Sequence, residues 1–164
     1  MSRNTDMRID LHSHSTASDG KLTPDELVQQ AIEAGVDVLS ITDHDSVAAY
    51  RQINRSQSAP LRIIPGIEFS SQWQKSDIHI LGLNIDPEND ILRSGIAIQQ
   101  QHRHDRASRI ADRLARLLGI ANPVNAVSAI AGNNNIGRPH FARYLIETGV
   151  VKDSREAFRK YLGT

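Results

Sequence analysis

Cysteine is absent from the 164 residues, which excludes disulfides, thiolate zinc sites and cysteine nucleophiles. Long apolar runs are also missing. None approaches the ~20 residues that span a bilayer, and residues 1–10 hold no apolar core of signal-peptide type. A soluble, cytoplasmic protein with no membrane partner is expected. Nor is there an excess of either charge: nineteen Lys and Arg balance nineteen Asp and Glu, for a formal net charge of zero. A uniformly basic nucleic-acid surface is therefore not expected, though zero net charge is compatible with a local basic patch. Hydrophobic residues at 39% and charged residues at 23% suit a packed globular chain rather than a disordered one. Histidine is the residue in unusual supply. Of seven, His12, His14, His44 and His79 lie in or beside strand-like segments.

Residues 7–12 read as a strand, with Ile9 and Leu11 apolar. A loop over 13–21 follows, marked by Ser18-Asp19-Gly20. Thr23 is placed to cap a helix, with Pro24 at its first position and Glu26 completing a capping box. Leu27, Val28, Ala31 and Ile32 form its apolar stripe, and Gly35 ends it. The Val-Asp-Val-Leu-Ser-Ile-Thr run at 36–42 is a second, buried strand. Strand, helix and strand with short loops make a βαβ unit, so the two strands should be parallel. A helix over 46–55 and strands at 61–64, 67–73 and 78–83 complete an alternating region. From about residue 91 the pattern turns helical, with Ile110, Ala111, Leu114 and Leu117 on one face. Further helices are expected at 125–131, 139–147 and 154–162. The division falls near residues 89–95, giving an α/β part at 1–92 and a helical part at 93–164.

An isolated His-x-His is more often two polar residues at a strand end than a metal site. Here His12 and His14 are two apart on a strand, so both rings face one side. Asp19 follows in a loop able to fold back. His44 ends the second parallel strand, flanked by Asp43, a candidate to orient an imidazole, and Asp45, a candidate helix cap. Glu68 opens another strand after Pro65-Gly66. In parallel α/β folds functional groups gather at the C-terminal strand ends, where His12, His14 and His44 fall. Nitrogen and oxygen donors alone suit manganese, iron, zinc or magnesium. Glu68 is able to bridge two ions ~3.5–4 Å apart.

Taken together, His12-Ser13-His14-Ser15-Thr16-Ala17-Ser18-Asp19-Gly20, Thr42-Asp43-His44-Asp45 and Pro65-Gly66-Ile67-Glu68 resemble successive motifs of the PHP (polymerase and histidinol phosphatase) family. Ile78-His79-Ile80-Leu81-Gly82-Leu83 and Gly137-Arg138-Pro139-His140 are similar to its branch of small phosphoesterases acting on nucleotides. That branch includes 3′,5′-nucleoside bisphosphate phosphatases and a 5′-to-3′ exoribonuclease. The resemblance spans nearly the whole chain. It implies an α/β fold, part of a distorted seven-stranded (β/α)7 barrel with a helical insert. It further implies two or three divalent ions, manganese foremost, held by His12, His14, Asp19, His44, Glu68 and His79. Hydrolysis of a phosphate ester on a nucleotide or short RNA by metal-bound hydroxide follows, with no protein general base and no obligate protein partner. Family members continue with a further His and a late Asp-x-His. The chain stops at Thr164 without them, so a truncated protein or partial gene product, itself inactive or nearly so, is expected.

Arg103, Arg106, Arg109, Arg113 and Arg116 crowd one helical region, and positions 106, 109, 113 and 116 share a face. A solvated basic face is one reading. In similar enzymes an arginine pair matching Arg106 and Arg109 contacts substrate phosphate, a task that suits guanidinium. Arg138 and His140 flank Pro139 at a helix start, where they serve either an anion or the helix cap. Trp73 is expected in the core rather than stacked on a base. Two other functions compete. Amidohydrolases also begin with His-x-His on a first barrel strand, and an inactive fragment would bind metal or nucleotide only.

Overall fold

The computed structural model describes residues 6–54, 58, 60–74, 76–133 and 135–163. Among these the chain divides into two compact units, Met1–Ser94 and Gly95–Thr164. In the first, β1 (Ile9–Ser13), α1 (Pro24–Glu33) and β2 (Val38–Ile41) form a βαβ unit with parallel strands. β3 (Arg62–Ile63) pairs in parallel on the far side of β2, giving the order β1-β2-β3. Central β2 is buried along its whole length, which explains why its Val-Leu-Ser-Ile run shows no polar alternation. The core of this unit gathers Val28 and Ala31 of α1 with Leu39 and Ile41 of β2, and Leu27 and Ile32 pack alongside.

α1 starts as its capping box dictates. The Thr23 hydroxyl accepts the Glu26 N–H at 3.3 Å, and the Glu26 carboxylate accepts the Thr23 N–H at 2.8 Å. The helix ends where Gly35 turns to φ +73°. Thr23→Ala is expected to cost about 1 kcal/mol. A urea melt should show a lower midpoint at unchanged slope, and an unmoved midpoint would mean the box contributes nothing.

The segment after β2 departs from its expected helix. Only α2 (Ala49–Gln52) forms, and the expected end at Arg55 lies outside the described residues. Ahead of α2 stands Asp45, held at φ +46° in a buried turn. Its carboxylate does not cap α2. It accepts the Ser70 N–H at 2.8 Å, and its own N–H donates to the Glu68 carbonyl at 2.9 Å. These bonds and a parallel bridge between His44 and Glu68 tie the turn to an antiparallel hairpin, β4 (Gly66–Trp73) and β5 (Ser76–Leu83). Trp73 is not in the core. It is 68% exposed, on the last residue of a strand whose burial fades toward the hairpin tip.

The second unit contains most of α3 (Asp90–Leu118), then α4 (Val124–Ala131), α5 (Arg138–Glu147) and α6 (Ser154–Ala157). α6 runs on as a single π turn, Phe158–Leu162, where one continuous helix was expected. The Tyr161 carbonyl in that turn accepts a bond from the Arg113 guanidinium. Phe141, Leu145, Val127, Ala111 and Leu114 build the core. Leu117, expected on the inner face, is 61% exposed. Ala107 and Leu118 take that side instead, since a 3.6-residue period carries 107, 111, 114 and 118 along one stripe. No described helix is long and apolar enough to cross a membrane.

Candidate metal centre

Two local devices bring the histidines together at the C-terminal end of β1. The β1–β2 register slips between Asp10 and Ser13, where Leu11 and His12 oppose Ser40 alone, so a bulge re-aims the strand at His12. Beyond it the chain doubles back through Ser15 to Gly20. Gly20 is obligatory there, because a Cβ would stand 2.2 Å from the His14 carbonyl oxygen. Asp43, fully buried, anchors this loop rather than an imidazole. It accepts the Ser15 N–H at 2.7 Å and the Ser15 and Ser18 hydroxyls at 2.6 Å each. Burial pushes the Asp43 pKa above its ordinary 3.8, while these bonds and the nearby charge of His14 pull the other way.

Glu68 sits at the middle of the cluster. Its Oε2 lies 3.1 Å from His12 Nε2, 2.9 Å from His14 Nε2 and 3.5 Å from His44 Nδ1, and its Oε1 lies 2.7 Å from His79 Nδ1. On the other side, His14 Nδ1 is 3.3 Å from Asp19 Oδ1 and His44 Nε2 is 3.8 Å from Asp19 Oδ2. Neighbouring rings are spaced 5.2, 4.6 and 4.8 Å along the series His12, His14, His44 and His79. Thus His14 and His44 each face Glu68 through one nitrogen and Asp19 through the other. All six residues expected to share a site converge.

Hydrogen bonding alone does not account for this arrangement. A single carboxylate oxygen has about two lone-pair sites, yet three imidazole nitrogens crowd Glu68 Oε2. His14 Nδ1 is buried and close to Asp19 but is aimed too far off line to bond it. Ligands of one ion behave in this way, since each directs its lone pair at a third point. Three overlapping sets fit such ions: His12, His14 and Glu68; His14, Asp19 and His44; His44, Glu68 and His79. In each, one ligand atom per residue falls within 4.8 Å of the others. The cluster is compatible with divalent metal.

The pKa directions agree with mutual charge stabilisation. Burial pushes Glu68 up, but the bond from His12 and the charges of His44, His14 and His79 outweigh it, leaving it below 4.5. Burial pushes His14 down, but close contact with Asp19 and the charges of Asp19, Glu68 and Asp43 leave it above 6.5. In metal-free protein the depressed carboxyl stabilises the fold above pH 4.5, and this is lost as pH falls through its folded value. The raised imidazole stabilises it below pH 6.5, and this is lost as pH rises through its folded value. Both contributions are complete only between 4.5 and 6.5. A cation takes the place of those protons. The rise in melting temperature on adding manganese should therefore grow from pH 6 to pH 8 and vanish near pH 5. A rise independent of pH would count against metal at these imidazoles.

Arg106, Arg109, Arg138 and His140 belong to the helical unit. Arg109 is exposed, while Arg106 and Arg138 are half-buried. His140 is buried and its Nδ1 accepts the Gly137 N–H at 2.9 Å, so that nitrogen caps α5. Sequence reasoning missed Ser15 and Ser18 as loop anchors, although both stand inside the His12–Gly20 motif. It also missed Tyr50, whose hydroxyl donates to the Ile41 carbonyl and accepts the Gly66 N–H at 2.7 Å, clamping β2 to the start of β4.

Known proteins share the fold and a large part of the sequence. The chain is 43% identical over 157 residues to the 5′-3′ exoribonuclease Rnm of Escherichia coli, covering 93% of this chain and 53% of that protein. It is 39% identical over 158 residues to the 3′,5′-nucleoside bisphosphate phosphatase of Chromobacterium violaceum, covering 94% and 54%. A solved Chromobacterium violaceum structure called an amidohydrolase superposes with a TM-score of 0.85 at 36% identity, over 94% of this chain and 55% of that one. A Bifidobacterium adolescentis structure with a metal-dependent phosphoesterase designation gives 0.86 at 30%, over 96% and 56%. The chain thus spans about half the length of the curated relatives it matches. Residues 10–110 match the PHP domain family, the fold is a PHP fold, and the chain belongs to that family.

Proposed function

We propose that this chain is part of a metal-dependent phosphoesterase that hydrolyses phosphate esters of nucleotides or RNA ends, as a 3′,5′-nucleoside bisphosphate phosphatase or a 5′-3′ exoribonuclease does. One observation carries the proposal: four imidazoles and two carboxylates form three overlapping ligand sets around Glu68. His12, His14, Asp19, His44, Glu68 and His79 would hold two or three divalent ions, manganese foremost. Such ions supply Lewis acidity, which activates water and screens phosphate charge. Glu68, within reach of all four rings, would fix the spacing between neighbouring ions. Arg106, Arg109 and Arg138 would orient a phosphate through guanidinium bonds. His140 would add only its Nε2, since Nδ1 is committed to the cap. Within this reading the three parallel strands and the hairpin form part of a distorted seven-stranded barrel, in a cytoplasmic enzyme.

The likeness to Rnm and to the bisphosphate phosphatase supports a nucleotide or RNA substrate, and the structure called an amidohydrolase keeps a second chemistry in view. The test pairs metal analysis of the 164-residue chain with assays of the gene product that contains it. Bound manganese near two or three ions per chain is expected, with phosphate release from 3′,5′-bisphosphates that a His12→Ala/Glu68→Ala double variant loses. Ammonia release from an amide or ring substrate, without phosphate release, would favour the amidohydrolase instead. Fewer than one ion per chain and no turnover would sink the enzymatic reading.

A further inference from the structure

α3 belongs to both units. It runs unbroken from Asp90 to Leu118, yet the division of the chain falls between Ser94 and Gly95, inside the helix. Its two parts are fastened by different means. The first turn is held within Met1–Ser94. There the Asn89 side chain accepts the Ile91 and Leu92 N–H groups at 3.1 Å each. The Glu88 carboxylate accepts the Arg51 guanidinium of α2 at 3.0 and 3.2 Å and that of Arg93 at 3.4 Å. The later part is held within Gly95–Thr164, where Ala107, Ala111 and Leu114 join the core.

Between these anchors little resists bending. Among residues 90–98 only Ile96 is buried, and Ile91 and Ile98 are 84% and 58% exposed. The Ser94 hydroxyl donates to the Asp90 carbonyl at 2.8 Å. The α-helical pattern gives that acceptor to the Ser94 N–H, and sharing of this kind bends helices. Gly95 follows, with the widest backbone freedom of any residue and, proline aside, the lowest helix propensity. Glycine–serine pairs are a frequent cause of sharp kinks in long helices.

Charge supplies a force across this joint. The zero net charge of the whole chain conceals two strongly charged parts. Met1–Ser94 has eight Lys and Arg against fourteen Asp and Glu, a net of −6. Gly95–Thr164 has eleven against five, a net of +6. Opposite charges attract over a range that salt sets, ~30 Å at 0.01 M and ~3 Å at 1 M. We infer that Ser94–Gly95 is a hinge whose angle follows this attraction and therefore follows ionic strength. A bend of about 20° acts on the ~35 Å of helix from Gly95 to Leu118 and carries its far end by about 12 Å. The six residues of the candidate metal centre all precede the hinge, while Arg106, Arg109, Arg138 and His140 all follow it. A bend thus moves one set against the other. The inference goes beyond the phosphoesterase reading and does not depend on it.

The chain has no cysteine, so spin labels attach only where one is introduced. Glu33→Cys/Leu117→Cys puts one label at the end of α1 and one at the far end of α3, both at exposed positions. Ile98→Cys/Leu117→Cys puts both beyond the hinge, again at exposed positions. Double electron–electron resonance on the full chain in EDTA would read both pairs at about 0.01 and about 1 M salt. The mean distance of the first pair should shift by about 10 Å between the two conditions, as the bend above predicts. The second pair should stay at ~28 Å in both. Ser94→Ala/Gly95→Ala should lose most of the shift, since alanine favours the straight helix and frees the Asp90 carbonyl from its second donor. Ser94→Ala alone adds no volume and should lose part of it, which decides the matter if the double variant does not fold. A first-pair distance indifferent to salt, an undiminished shift in these variants, or a shift in the second pair would overturn the hinge. Spin–spin distances between singly labelled chains would assign the attraction to a second copy instead.

Discussion

Glu68→Gln is expected to lower metal affinity by more than a hundredfold while leaving the fold in place. Loss of a group that merely orients a ligand already costs about 10–100-fold, and Glu68 belongs to two of the three ligand sets. Gln preserves the volume and one acceptor, so the buried start of β4 should still pack. What disappears is the negative charge between four imidazoles. Without it, two or more cations would face nearly neutral rings and Asp19 alone. His12→Ala should do less, since His12 enters one set and its side chain is 53% exposed. Manganese titration by calorimetry, with melts in EDTA as a fold control, separates the cases. Wild-type stoichiometry in Glu68→Gln would show that the ions do not share this carboxylate.

Chelation should act in parallel. Wild-type protein should melt lower in EDTA above pH 7, whereas Glu68→Gln should melt alike with and without it. An equal response in both proteins would place the stabilising ion elsewhere.

The residues that carry the site were readable because their signals are short in range. His12 and His14 sit on one strand, and His44 and Glu68 follow a strand end and a Pro-Gly turn. The Thr23 capping box and the α1 stripe were readable for the same reason. What was not readable depends on contacts distant in sequence. Nothing within five residues of Asp45 signals that Ser70 will claim its carboxylate. Trp73 looks like core until the strand is placed in a two-stranded hairpin. The charge segregation lies in plain composition, yet it emerges only after the unit boundary divides the count.

Asp43 shows how much of the site depends on a residue that need touch no ion. Asp43→Ala should destabilise the first unit by about 3–5 kcal/mol, since each buried donor left without its acceptor costs about 1–3 kcal/mol. Three donors lose their acceptor together: the Ser15 N–H, the Ser15 hydroxyl and the Ser18 hydroxyl. Ser15 and Ser18 are themselves buried, so water cannot readily replace it. At ~4–8 °C per kcal/mol for a domain of this size, the melting temperature should fall by more than about 10 °C. Metal affinity should fall too, by about 10–100-fold, because the 15–20 loop delivers Asp19 to His14 and His44. Asp43→Asn offers a finer test. It retains the shape but sets an amide donor against hydroxyl and N–H donors, so a loss of about 1–3 kcal/mol is expected. Thermal melts and manganese titrations on both variants check the pair of effects. If Asp43→Ala melts within 2 °C of wild type and binds manganese normally, the loop is held by something other than this carboxylate.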